Sequence, residues 1–147
     1  MKGVVCSVCG FIAINNIIPD KCPACGAARE SFRIKDDAIK TPQDKNNLNE
    51  AEKKHIPAIT LVKKCGLIPE GCEDAHAKIG VIQHPMEEKH YITHLDFYLD
   101  KEFISRVMLT PRTLNPAAAL HIKASGGTLS VIELCNIHGA WISEADL

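Results

Sequence analysis

The segment Leu134-Cys135-Asn136-Ile137-His138-Gly139-Ala140-Trp141 places a thiol and an imidazole three residues apart, with a glycine directly after them. It overlaps the end of TLSVIELC (128–135), an aliphatic and β-branched run that reads as a strand. Cys135 and His138 are thus offered as metal ligands at the end of what reads as the last strand, and Gly139 permits a tight turn.

The chain upstream, as far back as Pro57, has the same character. The stretches AITLVK, AKIGVIQ, YITHLDFYL, EFISRVMLT and AALHIKA are short, rich in β-branched residues and bounded by Gly, Pro or Asp. Leu95, Phe97 and Leu99 alternate with polar or half-exposed neighbours, the pattern of a strand with one buried face. Ser125-Gly126-Gly127 predicts a hairpin turn between the last two strands. Strands at this spacing predict an all-β sandwich over residues 50–147. Residues 35–49 are polar and read as a partly helical linker. Thr41 would cap a short helix, with Pro42 in its first turn and Asp44 as an early acidic residue, and Pro57 would stop it.

Residues 1–34 read as a separate metal module. Cys6 and Cys9 (CSVCG) are followed after twelve residues by Cys22 and Cys25 (CPACG). Each C-x-x-C turn aims two thiolates at one ion, and the glycine that follows lets backbone N–H groups approach sulfur. Two such turns make a tetrahedral four-cysteine site suited to zinc or to a single iron.

Of the seven histidines, those in KKHIP and HPMEEKH are the informative ones. His84 and His90 end a charged, proline-containing loop that can fold back so that both rings converge, and His55 stands just before the first strand. Together with Cys135 and His138 they offer four nitrogens and a thiolate. That is one ligand too many for structural zinc, and it suits a five-coordinate iron with one position open to a small molecule.

Two family resemblances follow. VVCSVCGFIAINNIIPDKCPACGAARESF resembles the short rubredoxin-like domain that ends rubrerythrins, although Phe11 stands where that pattern often has tyrosine. The resemblance implies iron and single-electron transfer; zinc would use nearly the same cysteines. KHIP, HPMEEKHYI and CNIHGAW resemble, in order and interval over about residues 50–147, the signature segments of superoxide reductase, the catalytic domain of desulfoferrodoxin and neelaredoxin. This second resemblance implies a seven-stranded immunoglobulin-like β-barrel or sandwich. It also implies iron held by His55, His84, His90 and His138 in the equatorial plane, with Cys135 axial. Such a ferrous centre gives one electron to superoxide, which takes up two protons and leaves as hydrogen peroxide. Lys54 matches the lysine of the family's Glu-Lys-His segment, where it steers superoxide in and supports protonation. The runner-up reading is a non-catalytic two-iron electron-transfer protein.

The chain departs from the family in two places. The glutamate usually found two residues before the first histidine is replaced by Lys53; Glu52 lies one residue further back and would point elsewhere, so no carboxylate ligand is expected. The first domain of the common two-iron member has adjacent cysteines in its second pair, whereas this chain has CPAC. Cys65 and Cys72 bracket GLIPEG, an expected hairpin tip, and read either as a cross-hairpin disulfide or as two free thiols. His94 shares a strand face with His90 if the strand extends that far, which would put it behind the site; His76 and His121 have no partner in sequence. Trp141 is expected to pack beside the site.

Composition narrows the rest. A net charge of −1 gives no basic surplus for nucleic acid, and no apolar run approaches membrane-spanning length. The opening MKGVVCSVCG enters a cysteine motif at once, so no signal peptide is expected and the protein reads as cytoplasmic. The expected partners are superoxide, a rubredoxin or similar small electron donor, and further copies of the chain in a dimer or tetramer.

Overall fold

Alternating and continuous apolar runs build three sheets in this computed structural model, which describes residues 1–68 and 70–147. Pro69, inside the expected GLIPEG tip, lies outside the described residues. The first sheet holds β1 (Gly3–Cys6), β2 (Ile12–Ala13) and β3 (Phe32–Lys35) in the order β2-β1-β3. After β4 (Ile39–Lys40) comes the helix α1 (Glu50–His55). Next are β5 (Pro57–Val62), β6 (Glu73–Ile79), β7 (Ile92–Leu99) and β8 (Glu102–Met108), and then β9 (Ala117–Ile122), β10 (Thr128–Cys135) and β11 (Gly139–Asp146). These strands form a five-stranded sheet, β4-β11-β10-β7-β8, and a three-stranded sheet, β5-β6-β9. The protein is mainly β, with the two larger sheets stacked as an open sandwich; the described residues form no closed barrel. No helix of the described residues is long and apolar enough to cross a membrane.

Several local expectations are corrected. The last strand is β11: Cys135 pairs with Gly139, so CNIHG is the loop of the β10–β11 hairpin. Ser125-Gly126-Gly127 is not a hairpin turn, because β9 and β10 lie in different sheets and the segment carries the chain across the sandwich. The strand expected over AKIGVIQ runs instead over Glu73–Ile79 and is ended by Gly80, whose φ of +83° disfavours any residue with a side chain. The helix begins at Glu50. Its cap is Asn49, which forms a reciprocal capping box with Glu52 and leaves Thr41-Pro42 outside. The linker does more than connect, since Ile39 and Lys40 add a parallel edge strand to β11.

The largest departure concerns β7. His94, Asp96 and Tyr98 are buried along with Leu95 and Phe97. One face of the five-stranded sheet packs on β5-β6-β9 through Ala75, Ile79, Ile92, Phe97 and Val131. The other face is covered by the N-terminal sheet: Phe11, Ile12 and Phe32 pack with Tyr98, Ile132 and Ile142 in one cluster. A sheet buried on both faces loses the simple alternation of a half-exposed one.

Polar bonds fix the N-terminal layer. Tyr98 donates its hydroxyl to the Ile12 carbonyl at 2.8 Å. Arg106 on β8 grips Asp96 with two bonds of 2.6 Å and donates a third, of 2.9 Å, to the Cys9 carbonyl. Asp96 is 1% exposed. Removing its partner therefore strands a buried charge: Arg106→Met should lower the unfolding free energy in urea by about 3–5 kcal/mol, and adding Asp96→Leu should recover much of the loss.

Candidate metal centres

The two N-terminal knuckles have matching backbones. Gly10 N–H bonds to the Cys6 carbonyl at 2.9 Å, and Gly26 N–H bonds to the Cys22 carbonyl at 2.8 Å. Gly10 and Gly26 have φ of +73° and +76°, a conformation costly for other residues. The four sulfurs converge, with Cys6–Cys25 at 3.9 Å and Cys9–Cys22 at 3.6 Å. A tetrahedron with metal–sulfur bonds of about 2.3 Å has edges of about 3.8 Å, so the set fits one ion without rearrangement. Burial pushes the Cys22 thiol up to about 12 and raises Cys9, so a bound cation must supply the charge that makes them thiolates.

The second set assembles at one end of the sandwich. His55 closes α1, His84 and His90 come from the β6–β7 connection, Cys135 ends β10, and His138 lies in the hairpin loop. One ligand atom from each lies within 4.8 Å of the others. The ring centroids form a quadrilateral in the order His55, His84, His90, His138, with sides of 4.7, 4.6, 4.8 and 4.8 Å. The His55–His90 diagonal is 6.4 Å, close to that of a square. His55 Nε2 and His138 Nδ1 are 3.1 Å apart, near the roughly 3.0 Å expected of adjacent equatorial nitrogens at about 2.1 Å from a metal.

Backbone carbonyls choose which nitrogens face inward. His55 Nδ1–H donates to the Ala51 carbonyl and His84 Nδ1–H to the Pro85 carbonyl, both at 2.7 Å. That leaves each Nε2 with a lone pair aimed at the centre. His84 Nε2 and His90 Nε2 are buried with no hydrogen-bond partner among the described residues, as atoms meant for a metal would be. Burial depresses the basicity of His55, His84 and His90, His84 to about 4, so all three are neutral ligands at neutral pH. Cys135 is 2% exposed and lies 3.6 Å from His138 Nδ1, whereas His138 is exposed and His90 half-buried. The thiol thus lies on the buried side of the set, and His138 on its exposed side.

The supporting contacts are partly unforeseen. Lys40, from the presumed linker, donates to the His138 carbonyl at 2.8 Å and lies 5.3 Å from the Trp141 ring centroid. Trp141 in turn stacks on His55 at 5.1 Å. Asn136 stitches the two ligand loops together, accepting from Tyr91 N–H and donating to the Lys89 carbonyl. Its place between Cys135 and His138 was the only sequence hint. Glu133, two residues before Cys135, is fully buried and neither of its oxygens has a partner among the described residues; burial holds its carboxyl well above the usual range.

Other residues fall elsewhere. Lys54 is exposed in the last turn of α1, close enough that its charge lowers the basicity of His90. Glu52 is 3% exposed, and its carboxylate accepts from Gln43 and Asn49 N–H groups at 2.9 and 2.8 Å, so it is committed to the helix start. His94 lies on the face covered by the N-terminal layer, where Gly10 approaches it, rather than behind the iron ligands. Cys65 and Cys72 are free thiols.

Comparison with known proteins agrees with this geometry. Residues 47–144 match the family model described as Desulfoferrodoxin. The chain belongs to the desulfoferrodoxin family. Residues 5–33 match the model for the rubredoxin-like domain of rubrerythrin. A desulfoferrodoxin from Syntrophotalea carbinolica is 34% identical over 101 residues, 69% of this chain and 70% of that one. A desulfoferrodoxin homolog from Archaeoglobus fulgidus is 27% identical over 144 residues, covering 97% of this chain and 96% of its own. Among solved structures, the superoxide reductase from Nanoarchaeum equitans superposes with a TM-score of 0.58 at 26% identity, covering 74% of this chain and 99% of its own.

Within this desulfoferrodoxin fold, His55 depends on α1. Glu52→Ala removes the capping carboxylate, and iron retention at the histidine–cysteine centre against a chelator should fall about tenfold while the absorption of the four-cysteine site is unchanged.

Proposed function

We propose that the protein is a superoxide reductase, acting at the His55/His84/His90/His138/Cys135 centre. The observation that carries this reading is the square of imidazoles with inward lone pairs, backed by a buried thiol and edged by the exposed His138. Iron held there supplies one electron to superoxide, which takes up two protons and is released as hydrogen peroxide. Four neutral imidazoles and one thiolate leave a ferrous site with net positive charge, which draws an anion to the open side.

In this reading the chain's own groups divide the work. Lys54, exposed at the end of α1, adds positive charge at the mouth and carries protons to the departing oxygen. Lys40 holds the His138 loop through its carbonyl. Glu52 is unavailable as a sixth ligand because its oxygens are engaged by backbone N–H groups. The buried carbonyl bonds of His55 and His84 keep the ring nitrogens fixed while the charge of the centre changes.

The four-cysteine site holds a second iron in this reading, with zinc as the alternative ion. A rubredoxin or similar small protein returns the electron, and the chain works as a homo-oligomer in the cytoplasm. The ligand set supports the choice of iron, since a thiolate-only tetrahedron accommodates both iron oxidation states. Residues 1–34 are the electron-transfer module, 35–49 the connection and 50–147 the catalytic domain.

The test is stoichiometric. Anaerobically reduced protein supplied with a donor should yield one peroxide for every superoxide consumed, twice the yield of dismutation, with no dioxygen formed. A yield equal to that of dismutation, or no consumption by iron-loaded protein, would sink the proposal. Lys54→Ala should slow superoxide consumption about tenfold at low ionic strength and flatten its salt dependence, with Lys54→Arg retaining most of the salt dependence.

A further inference from the structure

We propose a third metal site, formed by Cys65, Cys72, Asp74 and His121, that takes a zinc ion. Neither iron centre uses these residues. Cys65 lies three residues beyond β5 and Cys72 immediately precedes β6, while Asp74 on β6 is the cross-strand neighbour of His121 on β9. Four donors thus come from the ends of all three strands of the β5-β6-β9 sheet. β5 begins beside His55 and runs away from it for six residues, so the cluster lies on the order of 20 Å from the iron ligands.

The atoms converge on one point. His121 Nδ1 is 3.0 Å from Cys65 Sγ, 3.7 Å from Cys72 Sγ and 2.7 Å from Asp74 Oδ1. All four ligand atoms lie within 4.8 Å of one another. A tetrahedral ion with bonds of about 2.0 Å to nitrogen and 2.3 Å to sulfur places them about 3.5 Å apart, so an opening of a few tenths of an ångström admits it. Without an ion the arrangement is poorly satisfied. One ring N–H cannot serve three acceptors, and Asp74 Oδ1, although near the ring, is buried with no aligned donor among the described residues. A cation at the common centre satisfies all four groups together.

The donor types select the ion. Two thiolates, an imidazole and a carboxylate make a closed four-ligand set for a borderline-soft cation, and they exclude magnesium and calcium. The Leu67 and Ile68 N–H groups both point at Cys65 Sγ at 3.4 Å, the kind of backbone donation that steadies a metal-bound thiolate. The set carries three negative charges, leaving a net charge of −1 around zinc. Lys63, Lys64 and Lys123 line the adjoining cavity of about 470 Å³ together with Glu70 and Glu73, the latter paired with Lys63, so the lining sets one positive charge against that excess. The role is structural: the ion ties the β5–β6 connection to β9. The rival occupant of the same geometry is a Cys65–Cys72 disulfide.

The experiment measures zinc and iron per chain in full-length protein. The protein is purified anaerobically with a thiol reductant, equilibrated with zinc and then dialysed against metal-free buffer. Wild type is compared with Cys65→Ser/Cys72→Ser and with His121→Ala, whose ring is partly exposed and whose loss leaves the fold's core intact. Wild type should retain one zinc more than either variant, with equal iron and, in an aliquot reoxidised after the zinc is measured, an unchanged ferric–thiolate absorption from Cys135. Cobalt added in place of zinc should give, beyond any band from the four-cysteine site, a thiolate-to-cobalt band in wild type that the double variant lacks. Equal zinc in all three proteins would overturn the proposal, as would a wild-type chain isolated under these conditions with no extra zinc and the mass of a disulfide. Because zinc is read separately from superoxide consumption, the result does not depend on the assigned activity.

Discussion

Buried lone pairs that no donor among the described residues meets are the constraint on which the catalytic end of the molecule depends. A polar nitrogen taken out of water without a partner costs free energy, and His84 and His90 each place one at the same point. A cation repays that cost only if every ligand arrives in the right tautomer. The carbonyls of Ala51 and Pro85 see to this for His55 and His84, each from the ligand's own segment of chain. The helix that carries Ala51 must therefore be intact, which explains why six residues of α-helix persist in a β protein, with a full capping box to hold them. Metal affinity and local folding are in this sense one equilibrium.

The second organising feature is the five-stranded sheet. Its inner face makes the sandwich, and its outer face is closed by the four-cysteine layer, so one set of strands serves two cores. Polar groups on the outer face are tolerated because they are paired: Asp96 with Arg106, and the Tyr98 hydroxyl with Ile12. Arg106 also reaches the carbonyl of Cys9, itself one of the four thiol ligands, so the layer is fixed by a directional bond as well as by apolar contact.

What could be read from sequence divides by range. The C-x-x-C pairs and the Cys135–His138 turn are local, and their geometry follows from spacing alone. His55, His84 and His90 are separated by long intervals and became legible through their resemblance to a family's ordered segments. The alternation in β7 misled, because the cover that buries Asp96 and Tyr98 comes from residues more than sixty positions away. Gly126-Gly127 carries turn chemistry, yet nothing in a turn tripeptide says whether the next strand joins the same sheet. Lys40 and His121 were invisible for the same reason: each acquires its partners only when distant strands pair, β4 with β11 and β6 with β9.

The parallel pairing of β4 with β11 has a kinetic consequence. Only three residues separate β3 from β4, so the four-cysteine layer is held on a leash too short to swing, and Arg106 pins its far side. The two iron-type centres therefore keep a constant separation and orientation. Whatever process involves both centres, swinging of the four-cysteine layer does not set its pace.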